Sequence, residues 1–209
     1  MTNVLLLCLL SYLLGSISFA VLVSWVFALP DPRSYGSGNP GATNVLRTGK
    51  KLPALLTLLG DASKGALAIW LARASTASLG QDEPLIAAVA FSAFLGHLFP
   101  LFHRFRGGKG VATAAGIFLA LYWPFGLTLI GIWLLVFALS RVSSLSALSA
   151  AVSAPPLAAY FFGASANLAL TACMTILLIW RHRSNLAMLL AGKESHVGSG
   201  GTREKSDQA

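Results

Sequence analysis

The sequence predicts an all-α, polytopic integral membrane protein with seven transmembrane helices, its N-terminus outside and its C-terminus cytoplasmic. Three observations carry that expectation. The 209 residues are 56% hydrophobic and only 11% charged, whereas soluble domains carry about a quarter charged residues. Several apolar runs approach or exceed the roughly 18 residues that read as a membrane span. The basic residues fall in short segments between those runs, as the positive-inside rule expects. That placement also disposes of nucleic acid as the partner suggested by a net charge of +8. Cys8 and Cys173 lie inside apolar runs away from His or Asp, which gives neither a metal site nor a disulfide framework.

Residues 4–29 form the first expected span, uncharged and interrupted only by Gly15 and serines; no basic region or trusted cleavage site marks it as a removable leader. Residues 31–51 read as a loop from their Gly, Pro and Asn content. The second span, 52–72, contains Asp61 and Lys64 at helical i, i+3 spacing, which favours a buried ion pair over a site. Residues 75–84 are poor in positive charge and are expected outside, and 85–102 return as the third span. The apolar stretch from Val111 to Ser140 is too long for one crossing. Lys109 and Arg141 at its two ends belong on one side, so a turn is expected at Tyr122-Trp123-Pro124. Spans at 144–162 and 164–180 complete the seven. Residues 1–197 then form a single membrane domain, and 198–209 a disordered cytoplasmic tail.

The stretch between the third and fourth spans concentrates the chemistry. Residues 96–113 hold His97, Arg104, Arg106, Lys109 and the glycines Gly107, Gly108 and Gly110, immediately ahead of an apolar helix. Glycines there let backbone N–H groups converge on an anion, the helix N-terminus adds partial positive charge, and Lys109 adds a full one. The loop at 31–51 is similar: Gly36, Gly38 and Gly41 punctuate Ser37, Asn39, Thr43 and Asn44, and Arg47 offers a planar fork for a phosphate. Gly36-x-Gly38-x-x-Gly41 is not a dinucleotide fingerprint, because apolar helices rather than a strand precede it. Nor is Gly108-Lys109-Gly110 a Walker A motif, which needs Ser or Thr after the lysine. His182 and Asn185, i and i+3 on a short helix leaving the last span, both suit an anion. No Gly-x-Ser-x-Gly elbow is present, and no histidine is followed at the fifth position by Asp, the arrangement typical of soluble-type glycerolipid acyltransferases.

Four segments together, 36–47, Asp61-Ala-Ser-Lys64-Gly65, Gly96-His97 through Thr113, and His182-Arg-Ser-Asn185 through Glu194, resemble the bacterial membrane acyl-phosphate:glycerol-3-phosphate acyltransferases over nearly the whole chain. The resemblance implies a multi-pass protein of the bacterial cytoplasmic (inner) membrane with its active site on the cytoplasmic face. It implies transfer of a fatty acyl group from acyl phosphate to the 1-hydroxyl of sn-glycerol 3-phosphate, giving lysophosphatidic acid and phosphate, without cofactor or metal. Membrane lipid and a soluble acyl-phosphate-producing enzyme are the expected partners beside the two substrates. The expected catalytic residues are His97, Lys109 and Ser37, and the expected substrate ligands are Asn39, Thr43, Asn44, Arg47, Gly107, Gly108, Gly110, Ser144, His182 and Asn185. The proton of the attacking hydroxyl is expected to go to a substrate phosphate oxygen or to His97. The chain departs from the family pattern at Met188, where the family usually has Arg, and at Ala147, near a usual second serine. The competing expectation is a transporter or channel for small phosphorylated anions, which would need polar groups along a path through the midplane and paired repeats.

Overall fold

The computed structural model describes residues 2–76 and 82–197; the expected tail at 198–209 lies outside the described residues. Ten α-helices and one 3-10 turn, with no strand, make up the regular structure among them. In order they are α1 (Thr2–Gly15), α2 (Phe19–Val26), α3 (Ala42–Leu46), α4 (Lys51–Thr76), α5 (Glu83–Leu98), the 3-10 turn Leu101–His103, α6 (Val111–Leu121), α7 (Trp123–Ser140), α8 (Ser143–Phe162), α9 (Ala166–Arg181) and α10 (Arg183–Leu190). Four helical stretches among the described residues are long and apolar enough to cross a bilayer: Lys51–Ser75, Glu83–His103, Trp123–Ser140 and Ser143–Phe162. The pair α1 and α2, bent by 42°, makes a fifth when taken as one span. The two further expected spans correspond to α6 and α9, which are apolar but shorter, at 11 and 16 residues. At about 1.5 Å per residue α6 reaches only about 16 Å, half the hydrocarbon thickness.

Two expectations need correction. Residues 31–51 are not loop throughout, because α3 occupies Ala42–Leu46 within them. The first apolar run is not one rod: it breaks at Ser16–Ser18, where Gly15 lies so close to α5 that an added Cβ would stand 2.1 Å from the Ala93 carbonyl oxygen. The break frees the Ile17 carbonyl, and Lys64 on α4 donates to it at 2.8 Å while also pairing with Asp61 at 2.9 Å. The Asp61–Lys64 pair is thus buried structure, as its spacing suggested. Tyr122 ends α6 in an extended conformation, and Pro124 sits in the first turn of α7, so the chain turns where Tyr122-Trp123-Pro124 predicted. Arg73 caps that turn by donating to the Ala120 and Leu121 carbonyls at 2.9 and 2.7 Å.

Helix contacts rest on small residues. Between α4 and α6, a Cβ on Gly116 would lie 1.9 Å from the Ala62 carbonyl oxygen, and one on Gly65 would lie 2.3 Å from that of Thr113. Gly96 meets the Tyr12 carbonyl of α1 in the same way. Such backbone-on-backbone approach suits a lipid solvent, where leucine gains little by leaving the tails for another helix. It fixes α4, α5 and α6 around Ala68, Phe94, Ile117 and Phe125, all fully or nearly fully buried. Replacing Gly116 by Leu is therefore expected to prevent folding or to lower the melting temperature in detergent by many degrees, since the neighbour that must yield is backbone. Gly131→Ala, where nothing lies within 4 Å, should leave the melting temperature unchanged or slightly raised; both are read by thermal unfolding of the purified protein.

Candidate active site

The loops that carried the sequence motifs meet at one end of the bundle. Gly36 and Gly38 take left-handed φ of 58° and 64°, and the turn they make folds back on α3. Asn44 builds that turn: its side-chain oxygen accepts from the Ser37 amide at 3.0 Å, and its Nδ2 donates to the carbonyls of Pro32 and Tyr35 at 2.6 and 3.1 Å. Buried and fully engaged, Asn44 shapes the loop and has no amide donor left for a ligand in this conformation, a departure from the role expected of it. Ser37 is exposed, and its hydroxyl accepts only a long 3.4 Å bond from the Asn39 amide. Thr43 reaches across to Ser143 at the start of α8, 3.2 Å between hydroxyl oxygens.

The glycine-rich turn before α6 is gripped from two sides. The Gly108 amide donates to the His97 carbonyl at 3.2 Å, and Arg181 donates to the carbonyls of Gly107 at 2.5 Å and Gly108 at 3.1 Å. A Cβ on Gly107 would sit 2.1 Å from the His97 carbonyl oxygen, so the crowding itself demands glycine there. On Gly108 a Cβ would lie 2.3 Å from His97 Nε2 and 3.1 Å from the Pro40 carbonyl oxygen, which brings the two glycine-rich loops into contact. Gly110, at φ 86°, starts α6 against Phe94. The Gly107 and Gly108 carbonyls and the Gly108 amide are thus spent inside the protein, which takes the Gly108 amide out of the expected convergence of glycine amides on an anion. His97 lies beneath this turn, 6% exposed, with Nδ1 3.6 Å from Asp61 and Nε2 against Gly108. Neither ring nitrogen joins the cluster above it.

That cluster gathers Lys109, Asn185, Ser144 and Arg47; Asn39 stays in the first glycine-rich turn, its side chain beside Gly41. Lys109 Nζ donates to Asn185 Oδ1, Asn185 Nδ2 donates to Glu194 at 2.7 Å, and the Ser144 hydroxyl donates to the same Glu194 oxygen at 2.8 Å. Arg47 joins from α3 through Ser195 at 2.6 Å, and the Val197 amide fastens the segment by donating to the Arg141 carbonyl at 2.9 Å. Burial lowers the Lys109 pKa and Glu194 offsets part of that, while Arg181 and Arg47 push it the same way as burial. His182, where α9 passes into α10, directs Nδ1 to the Leu178 carbonyl at 2.9 Å. Burial pushes its pKa down to about 4, so at neutral pH the ring is uncharged and, with Nδ1–H donating, Nε2 is an acceptor. Sequence reasoning missed Arg181, Glu194 and Ser195. Their only signal was position: Arg181 adjoins His182, and Glu194 closes the fourth motif.

The chain matches the family model for glycerol-3-phosphate acyltransferase over residues 5–192. It is similar to curated glycerol-3-phosphate acyltransferases from Ralstonia pickettii, 58% identical over 188 residues covering 90% of this chain and 91% of that one, and from Nitrosomonas eutropha, 57% identical over 189 residues covering 90% and 94%. Its fold resembles crystal structures of an integral membrane glycerol 3-phosphate acyltransferase. The glycerol 3-phosphate form matches with TM-score 0.87 and 35% identity, over 94% of this chain and 96% of that one. The lysophosphatidic acid form matches with TM-score 0.85 and 34% identity, over 93% and 95%.

The buried, neutral His182 makes stability depend on pH. Its folded pKa of about 4 lies below the ordinary histidine value of 6.5, so between those values the unfolded chain binds the extra proton. Its contribution is complete above about pH 6.5 and fades as pH falls toward 4. The melting temperature should fall across that window, and His182→Gln should flatten part of the slope, as read by thermal unfolding at a series of pH values.

Proposed function

The chain belongs to the glycerol-3-phosphate acyltransferase family, and from that premise we propose that it moves a fatty acyl group from acyl phosphate to the 1-hydroxyl of sn-glycerol 3-phosphate. The hydroxyl oxygen bonds to the acyl carbon, the bond from that carbon to the phosphate oxygen breaks, and lysophosphatidic acid and inorganic phosphate leave. The hydroxyl proton passes to the departing phosphate. The mixed anhydride arrives already activated, so no covalent enzyme intermediate is needed. The observation that carries this reading is the convergence of Arg47, Lys109, Ser144 and Asn185, from four distant segments, on one small region.

Lys109 and Arg47 neutralise charge on the two phosphates, and Ser144, Asn185, Ser37, Asn39 and Thr43 supply neutral contacts around them. Preorganised charge and orientation give most of the rate. His182 presents an acceptor nitrogen suited to a substrate hydroxyl. His97 supports the glycine turn from below rather than taking a proton. In this reading the acyl chain lies among the helices, α6 and α9 count as crossings to make seven, and these loops belong together on the cytoplasmic side of the inner membrane with the N-terminus outside. The transporter reading loses its support, because Asp61 and Lys64 close on each other and on the Ile17 carbonyl instead of lining a path.

Purified protein given glycerol 3-phosphate should form lysophosphatidic acid with acyl phosphate and none with acyl-CoA; equal use of the thioester would overturn the donor. Lys109→Ala and Arg47→Ala should each lower kcat/KM by about a hundredfold with the melting temperature kept, the size expected for losing a charge-assisted contact to phosphate. Phosphate uptake into vesicles without product would restore the transporter.

A further inference from the structure

We infer that Arg181 is a positioning residue for phosphate recognition: it turns the Gly107 and Gly108 carbonyls away from the substrate side of the glycine turn, and so aims the Lys109 amide. The inference rests on the reading that the cluster holds a substrate phosphate. Arg181 ends α9, which packs on α5. Its guanidinium lies over the Phe99 ring, 5.9 Å to the centroid, and spends Nη2 on the Gly107 carbonyl and Nε on the Gly108 carbonyl. A planar fork suits two adjacent carbonyl acceptors, and an ammonium does not.

The consequence follows from peptide geometry. There is no cis peptide among the described residues, and in a trans peptide the N–H points opposite to the C=O of the same plane. With the Gly107 carbonyl held by Arg181, the Gly108 N–H must face the other way, and it does, meeting the His97 carbonyl at 3.2 Å. With the Gly108 carbonyl held as well, the Lys109 N–H is likewise turned away from the guanidinium. That leaves the Lys109 N–H, directly ahead of the opening N–H groups of α6, on the side away from the guanidinium to serve an anion. Without the fork, two glycines could rotate either carbonyl toward the site. A carbonyl oxygen there repels phosphate and removes the donor that shares its plane. Arg181 therefore acts through the backbone and touches no reacting atom.

The test uses the full chain in detergent, with Arg181→Ala, Arg181→Lys and, as control, Arg183→Ala, whose side chain is exposed and lies over Trp180. Binding of inorganic phosphate and of glycerol 3-phosphate is measured by calorimetry, and KM and kcat are measured for each substrate separately. Arg181→Ala should weaken phosphate binding and raise KM for a phosphate-bearing substrate about tenfold, the size of a lost hydrogen bond to a charged acceptor, with kcat changed less. Arg181→Lys should restore little of this, and Arg183→Ala should match wild type. A shift confined to glycerol 3-phosphate assigns the turn to the acceptor phosphate, and one confined to acyl phosphate assigns it to the donor. Unchanged KM and phosphate affinity, with kcat and melting temperature falling together, would overturn the inference. If Arg181→Ala does not fold, full phosphate affinity in Arg181→Lys overturns it instead. Wild-type protein that binds neither phosphate nor glycerol 3-phosphate would sink the phosphate reading itself, a different failure.

Discussion

Every carbonyl that a helix break releases inside a bilayer must find a donor, because there is no water to supply one. Several of the breaks in this chain's helices meet the demand with a side chain from a neighbour. Lys64 serves Ile17 where α1 gives way to α2, and Arg73 serves Ala120 and Leu121 where α6 ends. Pro155 inside α8 cannot bond back to Ala151, and the Thr175 hydroxyl on α9 takes that carbonyl at 3.2 Å. Outside the helices, Arg181 likewise holds the Gly107 and Gly108 carbonyls of the turn before α6. The breaks are thereby pinned, and the loops they release arrive at fixed positions.

That pinning explains how a small protein assembles a polar site from distant parts. Close contacts at Gly15, Gly65, Gly96 and Gly116 set the distances between α1, α4, α5 and α6; Arg47 sits ahead of α4 and Lys109 ahead of α6, while Ser144 lies in the first turn of α8 and Asn185 in α10. The local charge is positive, with Arg47 and Arg181 both in electrostatic range of Lys109. Glu194 is the acidic group set among them. It gives Ser144 and Asn185 a common acceptor and counters the burial that would discharge Lys109. A cluster that kept no carboxylate would have to leave those cations unpaired whenever phosphate is absent.

Most of this architecture was legible in the sequence. The apolar runs, the turn at Tyr122-Trp123-Pro124, the short helix carrying Asn185 and the buried Asp61–Lys64 pair all follow from hydropathy, proline and spacing. What escaped depends on contacts between residues far apart in the chain. Nothing local to Ser16–Ser18 says that Gly15 will press on Ala93, and nothing in the 31–51 composition separates a loop from a one-turn helix held by α4. His97 looked catalytic because it adjoins the glycine turn, yet adjacency did not reveal that it would lie underneath. Arg181 and Glu194 were hidden because their roles exist only once α9 meets α5 and the 191–197 segment folds back over α8 and α10.

The glycines themselves are the last point. In a phosphate-binding loop of the nucleotide-binding kind, glycine is needed so that several amides can surround an anion. Here the pressure comes from the other side: Gly107 is crowded by the His97 carbonyl and Pro100, and Gly108 by His97 and Pro40. The carbonyls are turned toward Arg181 and one amide toward His97, so the Gly108 plane offers an anion no donor. In the proposed reading, recognition is then left chiefly to side chains from four separate segments. A donor set spread that widely can hold two phosphates at a chosen separation, whereas a single loop surrounds one, and a transfer between two phosphorylated molecules requires that separation.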